Sequence, residues 1–450
     1  MVEGEPLERS DSLTRPLMTR QVPTSYRQAA KLALFRGKYR SLKAPCVFAL
    51  RMSGAVEVKL LRSSMTWVAR RHTALRTYFP DHNSLGTAIC LPPADINWPL
   101  ECIDLRGMTP ETTTEAESYA LRELQQPFNP GESPLYRGIL IRYTDHWILG
   151  IAISHTVFDG ESVKVFLKDL EHVYQHLLSG NSASDLLRDV SDFSKFAASE
   201  RSWMRSQDSE RAVHYWASIW KGMGPFPAVP FAIASSKAGA PSAGIWSRIL
   251  SAPAIDRQRA AYPDGHLSLF ALAAACTLSA LREVTGESDL GLLYNNSRRY
   301  VPGANSIIGF LNNRQLLRID AGPADAVTIM SRTRIAVLDS LEYSMAPFEF
   351  LIEKLTPEFA NRPPDSAHID LNVDREDAPP CLPRVRTELA WPVEPSAFAG
   401  LSYISINLSE LQNSKGVSLS AGYSTELYEE AFVVRFMERV AQLLENNPGT

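Results

Sequence analysis

The chain has 450 residues, 45% apolar and 21% charged, with a formal net charge of −4. It is long enough for two to three ordinary domains or one large two-lobed unit with a substantial core, and its charge offers no basic stripe of the kind that wholesale nucleic-acid or membrane binding needs. No run of about 18 apolar residues suggests a membrane span, and five scattered cysteines (Cys46, Cys90, Cys102, Cys276, Cys381) without a CxxC suggest neither disulfide framework nor zinc ribbon, which fits a reduced, cytoplasmic setting.

Residues 1–18 are polar, lack the apolar stretch of a secretory leader and are expected to fray. Residues 47–58 read as a strand leading into a helix over 59–72, where Leu60, Leu61, Met65, Val68 and Ala69 share one face. Residues 110–126 are acid-rich with a helical pattern that Pro127 ends. Residues 135–144 (LYRGILIRYT) and 146–153 (HWILGIAI) read as a hairpin whose second strand is apolar throughout, hence central and buried. A short polar turn follows, then a helix whose stripe is Val163, Phe166, Leu167, Leu170, Val173, Tyr174 and Leu177.

Residues 179–211, rich in Ser, Gly and charge, are expected to join two halves with only short helical patches. The second half contains the strongest helical pattern, 266–284, then β-rich blocks at 289–294 and 307–319. The proline-rich stretch 376–399 is expected to cross the surface as an extended connection. Two antiparallel strands over 401–423 and a closing amphipathic helix over 426–446 complete the chain. The class is α/β (α+β) with mixed sheets.

The turn Ser154-His155-Thr156-Val157-Phe158-Asp159-Gly160 carries the most chemical information. A histidine at the end of a buried strand is held rigidly, and neutral imidazole accepts a proton near pH 7. Asp159 and Gly160 then bend the chain into a helix, and glycine tolerates the φ values such turns use. Alone, HxxxDG fixes three of six residues and is a weak signal.

Further segments, in order along the chain, give it weight. HxxxDG after an apolar strand resembles the signature of the condensation-domain family of nonribosomal peptide synthetases, which belongs with chloramphenicol acetyltransferase and other CoA-dependent acyltransferases. Arg71-His72-Thr73-Ala74-Leu75-Arg76-Thr77-Tyr78-Phe79 looks like that family's RHxxLRTxF stretch. Pro127-Phe128-Asn129 with Ser133-Pro134-Leu135-Tyr136-Arg137, and Arg299 with Ile308-Gly309-Phe310 and Asn313, look like two further family stretches. So do Ala346-Pro347-Phe348-Glu349 with Leu351-Ile352-Glu353, and Gly422-Tyr423-Ser424-Thr425-Glu426-Leu427-Tyr428. The resemblance spans roughly residues 16–446.

The resemblance implies two chloramphenicol-acetyltransferase-like lobes, a V-shaped pseudo-dimer with a central tunnel. The lobes would be 1–185 and 210–450, joined by 186–209, with the crossover at 376–399. His155 would be the catalytic residue, orienting or deprotonating an acceptor amine or hydroxyl, or stabilising the tetrahedral intermediate. Asp159 would pair with Arg299, and Gly160 would lie beside the reacting groups. Ser162 and Asn313 would be adjacent to the site or tunnel, Asn313 and Arg76 serving structure. Ser154 stands where the family usually has a first histidine. The enzyme would bind no cofactor and no metal of its own, taking its acyl, peptidyl or polyketide donor as a thioester on a phosphopantetheine arm or CoA.

Without adenylation or carrier motifs, and with Met1 opening a polar N-terminus, a free-standing monomeric condensation enzyme is expected. It would meet an acyl or peptidyl carrier protein in trans, with a small-molecule or carrier-bound acceptor, and engage neither nucleic acid nor membrane. Carriers are usually acidic, so a basic patch is expected, with Arg20, Arg27, Lys31, Arg36 and Lys38 as candidates. An acyl-CoA-dependent acyltransferase and a non-catalytic carrier-binding protein are the alternatives. Rival sites are weak: His172 and His176 have metal-compatible spacing but no third ligand, Asp365, His368, Asp370 and Asp374 alternate along an expected strand face, and His72 sits at a helix end. No GxSxG, GxGxxG, P-loop or HExxH occurs.

Overall fold

The computed structural model describes residues 19–35, 44–80, 86–182, 185–186, 192–229, 242–262, 267–359, 367–390, 402–412 and 416–446. The first 18 residues, Arg36, Lys38, Asp365 and the end of the proline-rich stretch (391–399) lie outside the described residues.

A strand that is apolar at every position must be covered on both faces. Trp147–Ile153 (β7) is such a strand. It is the middle of a five-stranded sheet, with Val385–Ala390 (β12) and Cys46–Gly54 (β2) on one side and Tyr136–Arg142 (β6) and Leu100–Asp104 (β5) on the other. β6 and β7 form the expected hairpin, in register from Tyr136↔Ile153 to Arg142↔Trp147. One face, with Phe48, Leu50, Leu149, Ile151 and Ile153, packs against the helices Val58–Arg71 (α2) and Gly160–Leu178 (α4). The other carries Ile139, Ile141 and Ala152 against Ala120 and Leu124 of Pro110–Gln125 (α3). Gly150 sets that approach: a Cβ there would stand 2.4 Å from Leu124 Cδ1. Replacing any of these fully buried leucines by alanine costs about 2–5 kcal/mol.

A six-stranded sheet belongs to the second half. Its order is Asn313–Asp320 (β10), Asp289–Asn296 (β9), His368–Arg375 (β11), Tyr403–Glu410 (β13), Val417–Ser424 (β14) and Ala243–Leu250 (β8). One face meets Leu269–Thr285 (α8) and Glu430–Glu445 (α11), with Ala252–Ala260 (α7) and Ala326–Glu342 (α9) contributing to the same core. The other face, through Leu293 and Leu316, meets Trp216 and Trp220 of Gln207–Trp220 (α6) and Phe348 and Leu351 of Phe348–Leu355 (α10). A small sheet joins Arg20–Pro23 (β1), Thr87–Cys90 (β4) and Thr77–Tyr78 (β3), next in sequence to Tyr26–Phe35 (α1).

Three differences from the sequence reading have local causes. The supposed join contains a full helix, Phe193–Trp203 (α5), and the first turn of α6; Asp192 caps α5 by accepting from Ser194 N at 2.8 Å. Exposed Ser and charged positions obscure its buried Phe193, Phe196 and Ala197. The block 307–319 is strand only from Asn313, because the residues before it form a loop against α4 and α5. The described part of the proline-rich stretch, 376–390, leads into β12, paired antiparallel from Val385↔Gly54 to Ala390↔Ala49. Pro379, Pro380 and Pro383 all precede the ladder, and β12 is an edge strand, where the loss of donors is tolerated.

Candidate active site

The site grows from the end of β7. Ser154 N donates to Leu135 O at 2.8 Å, and Val157 N closes a turn onto Ser154 O at 3.0 Å. Asp159 is the N-cap of α4, its carboxylate accepting from Ser162 N at 2.9 Å. This short path from a central strand to a capped helix leaves the His155 backbone little freedom.

His155 Nδ1 lies 2.8 Å from the Phe158 carbonyl. A carbonyl only accepts, so Nδ1 carries the hydrogen and Nε2 keeps its lone pair. No described residue bonds Nε2. The ring packs edge-on against Phe310, centroids 5.2 Å apart at 71°. Burial, reinforced by the Lys31 charge, pushes the imidazole pKa down to about 3, so His155 is neutral at neutral pH. From α1, Gln28 Nε2 donates to Thr156 O at 2.8 Å. Gln28 is itself fixed by a reciprocal cap with Ser25, at 3.0 and 3.2 Å.

Asp159 is fully buried and accepts five hydrogen bonds. Its Oδ1 takes Arg299 Nη2 at 2.7 Å, Ser162 Oγ at 2.7 Å and Ser162 N at 2.9 Å. Its Oδ2 takes the backbone N–H groups of Leu311 at 2.9 Å and Asn312 at 3.1 Å. Arg299 reaches on to the carbonyls of Ala304, at 3.0 Å, and Ile307. One carboxylate thus ties the histidine turn to the 299–312 loop of the second half. The pairing is charge-assisted and the carboxylate is fully engaged, as a buried charge requires, although Arg299 Nε has no partner among the described residues. Gly309 fits the same junction, since a Cβ there would stand 2.2 Å from Phe193 Cδ2.

The other residues singled out in the sequence have distinct places. Ser162 is fully buried; its Oγ lies between Asp159, Arg299 and Gly309, at 3.0 Å from Gly309 O and 3.1 Å from Gly309 N. Asn313 holds the 344–348 loop, donating to Ser344 O and Ala346 O at 3.1 and 2.7 Å and accepting from Phe348 N at 3.0 Å. Ser154 is buried, its hydroxyl 2.9 Å from Thr156 Oγ1. Buried Arg76 bonds Leu91 O. Gly160 departs from expectation: it is not among the positive-φ glycines, so the turn does not need glycine for its backbone angle, and a Cβ there would meet nothing within 4 Å.

Of the five residues expected to form a basic patch, Arg20, Arg27 and Lys31 are described. Arg20 pairs with Asp192 at 2.8 Å. Arg27 is buried, bound to Glu349 at 3.1 Å and Asn312 O at 2.6 Å, and lies over Phe310. Lys31 also lies over Phe310, its Nζ 5.2 Å from the centroid. Arg27 and Lys31, four apart on α1, face the histidine site rather than forming a surface patch. Arg27 and Lys31 meet residues of the 310–349 region, and only burial of polar Arg27 and Gln28 among the apolar positions of α1 separates this helix from an ordinary amphipathic one.

The rival clusters do not assemble. His176 Nε2 bonds Ser182 O at 2.8 Å, and His172 is exposed. His72 bonds Asp169 at 2.6 Å. On β11, Asp370 is bound to Arg314 at 2.6 Å, and Asp374 accepts from Ser409. No metal-compatible group occurs among the described residues. A cavity of about 980 Å³ between the outer face of α4 and residues 375–380 contains none of the HxxxDG residues.

The Condensation domain family model matches residues 45–447. A linear gramicidin synthase of Brevibacillus parabrevis is 26% identical over 404 residues, 88% of this chain and 8% of that protein. The chain thus spans less than a tenth of that relative's length. Among solved structures, the X-domain in its complex with OxyB from teicoplanin biosynthesis superposes with a TM-score of 0.77 at 21% identity, over 99% of this chain and 96% of that one. The starter condensation domain of rhizomide synthetase RzmA in complex with C8-CoA gives 0.74 at 16% identity, over 95% of each. At these identities the structures establish the fold, a mixed α/β architecture of the chloramphenicol-acetyltransferase-like type.

Proposed function

We propose, for a chain that belongs to the condensation-domain family, that it transfers an acyl, peptidyl or polyketide group from a thioester to an amine or hydroxyl acceptor, with His155 as the proton-handling residue. The supporting observation is the fixed tautomer: Nδ1–H is held by Phe158 O, so Nε2 presents its lone pair. An acceptor N–H or O–H placed at Nε2 gives up its proton as the nucleophile attacks the thioester carbonyl. The C–S bond breaks, and the thiolate leaves with the proton passed on from the imidazolium. A dry site disfavours that imidazolium, so the proton moves through it without residing there. Positioning and base catalysis supply the acceleration. The donor thioester is carried on a phosphopantetheine arm or on CoA. The C8-CoA held by the rhizomide synthetase domain is an argument for testing both.

The test is turnover of acyl thioesters on a carrier protein and on CoA with a panel of amines and alcohols, comparing wild type with His155→Ala. A loss of about 100-fold or more is expected, the size of a general-base contribution. Equal activity of the two proteins would remove His155 from the mechanism.

A second reading has its own support. Ser154 stands where the family's first histidine usually stands, and one structural neighbour is an X-domain bound to OxyB. A recruiting protein of that kind would show stoichiometric protein binding and no turnover in either variant.

A further inference from the structure

Among the described residues, the charges around the His155 turn are paired with one exception. Arg299 meets Asp159 at 2.7 Å, Arg298 meets Glu200 at 2.5 Å, Arg27 meets Glu349 at 3.1 Å and Arg314 meets Asp370 at 2.6 Å. Lys31 is half-buried on α1, and no carboxylate among the described residues lies within ion-pair distance of it. Glu349, whose field reaches it, is already bound to Arg27. Burial and the neighbouring Arg27 and Arg314 lower the Lys31 pKa to about 8, which leaves it mainly protonated at neutral pH. A cation withdrawn from water without a counter-ion is costly, so an anion arriving there gains an unusually strong partner.

The position of this ammonium defines the anion. Phe310 carries the His155 ring edge-on at 5.2 Å and the Lys31 Nζ over its face at 5.2 Å. Those two distances laid end to end bound the separation of imidazole centroid and ammonium. With a hydrogen bond of about 3 Å at each end, that upper limit allows a molecule spanning the two groups no more than a few bonds between its nucleophile and its anion. The phosphate of a pantetheine arm stands the whole length of the arm from its thioester and does not fit. A carboxylate on the acceptor, beside the amine or hydroxyl that reacts, does.

We propose that Lys31 receives the carboxylate of the acceptor held at His155, so that the acceptor is a small amino or hydroxy acid entering with its carboxyl group free. This rests on the acyl-transfer reading above and deepens it. Lys31 is then a specificity residue, setting acid against amide, while His155 handles the proton.

The test needs no turnover in its first arm. The full chain is pulse-labelled with isotope-coded acetic anhydride, and acetylation of Lys31 is read by peptide mass spectrometry, with exposed Lys59 as internal reference. The probes are a mixture of free amino acids, a mixture of 2-hydroxy acids, the matching amides, and acetyl and succinyl pantetheine thioesters. Expected is at least fivefold protection of Lys31, relative to Lys59, by an acid mixture and none by the amides. No protection by either acid mixture, or equal protection by the amides, overturns the proposal. Protection by succinyl thioester alone also overturns it, since the carboxylate would then belong to the donor.

The second arm uses acyl transfer. The preference for acid over amide acceptor is expected to fall at least tenfold in Lys31→Met and to be largely retained in Lys31→Arg. An unchanged preference in Lys31→Met overturns the assignment. Failure to find any acyl transfer would count against the proposed reaction, while the labelling arm would still decide the role of Lys31.

Discussion

The two halves contain the same structural device at corresponding places, and only one copy is chemically equipped. In the first half, β6 and β7 form a hairpin, β7 ends at Ile153 just before Ser154, and His155-Thr156-Val157-Phe158-Asp159 leads to α4. In the second, β13 and β14 form a hairpin, β14 ends at Ser424, and Thr425-Glu426-Leu427-Tyr428-Glu429 leads to α11. The backbone turns match: Val157 N bonds Ser154 O at 3.0 Å, and Leu427 N bonds Ser424 O at 3.2 Å. The side chains diverge. Position by position, His155 faces Thr425, and fully buried Asp159 with its five donors faces exposed Glu429, which makes no side-chain cap. Thr425 is engaged with Ser242. Hairpin, tight turn and helix are therefore what the architecture requires, whereas the histidine and the buried aspartate are additions to one copy.

That contrast can be broken by substitution. The largest effect is expected at the aspartate. Asp159→Asn leaves Arg299 buried and uncompensated and should cost about 3–5 kcal/mol in urea unfolding, while Glu429→Gln should change stability by no more than about 0.5 kcal/mol. Equal losses would mean that the two turns are held in the same way.

Next in size is the acid response of the histidine turn. Folded His155 takes up its proton only near pH 3, against an ordinary value of 6.5. Between those values the unfolded chain binds the proton and the folded one does not. Stability therefore falls as pH drops through that window, and that loss is absent above it. The stability of His155→Gln relative to wild type should rise from pH 7 to pH 4.5, and the wild-type imidazole should show an Nδ1–H tautomer by nitrogen NMR with no titration between pH 8 and 5. A midpoint near 6.5 would place His155 in water and remove the dry site.

The smallest effect separates Ser154 and Ser424, whose carbonyls close the two turns. Ser154 Oγ bonds Thr156, while buried Ser424 Oγ has no partner among the described residues. Ser154→Ala should cost about 0.5–1.5 kcal/mol, and Ser424→Ala should be neutral or stabilising, because it removes an unsatisfied group. The reverse order would show that Ser154 is dispensable to its turn.

What can be read in advance follows from range. The β6–β7 hairpin, the His155 turn and α4 are local, and their signals (an unbroken apolar run, HxxxDG, a stripe of period 3.6) occupy fewer than fifty consecutive residues. The family resemblance points to the Asp159–Arg299 pair across 140 residues. Arg27 and Lys31 read as a surface patch because basic residues four apart on a helix look the same whether water or a second lobe faces them. The helix α5 is obscured because its buried apolar residues, Phe193, Phe196 and Ala197, are few and set among serines and charges.

By itself the sequence determined the elements whose periodicity is internal, the position of the histidine at a strand end and the membership of a family. Only the tertiary structure decided which nitrogen of His155 is free, which acids neutralise Arg27, Arg298 and Arg314, and that Lys31, beside Phe310, has no carboxylate partner among the described residues. Periodicity is fixed by neighbours in the chain, but a hydrogen-bond partner or a missing counter-ion depends on residues hundreds of positions away, which only packing brings within a few ångströms.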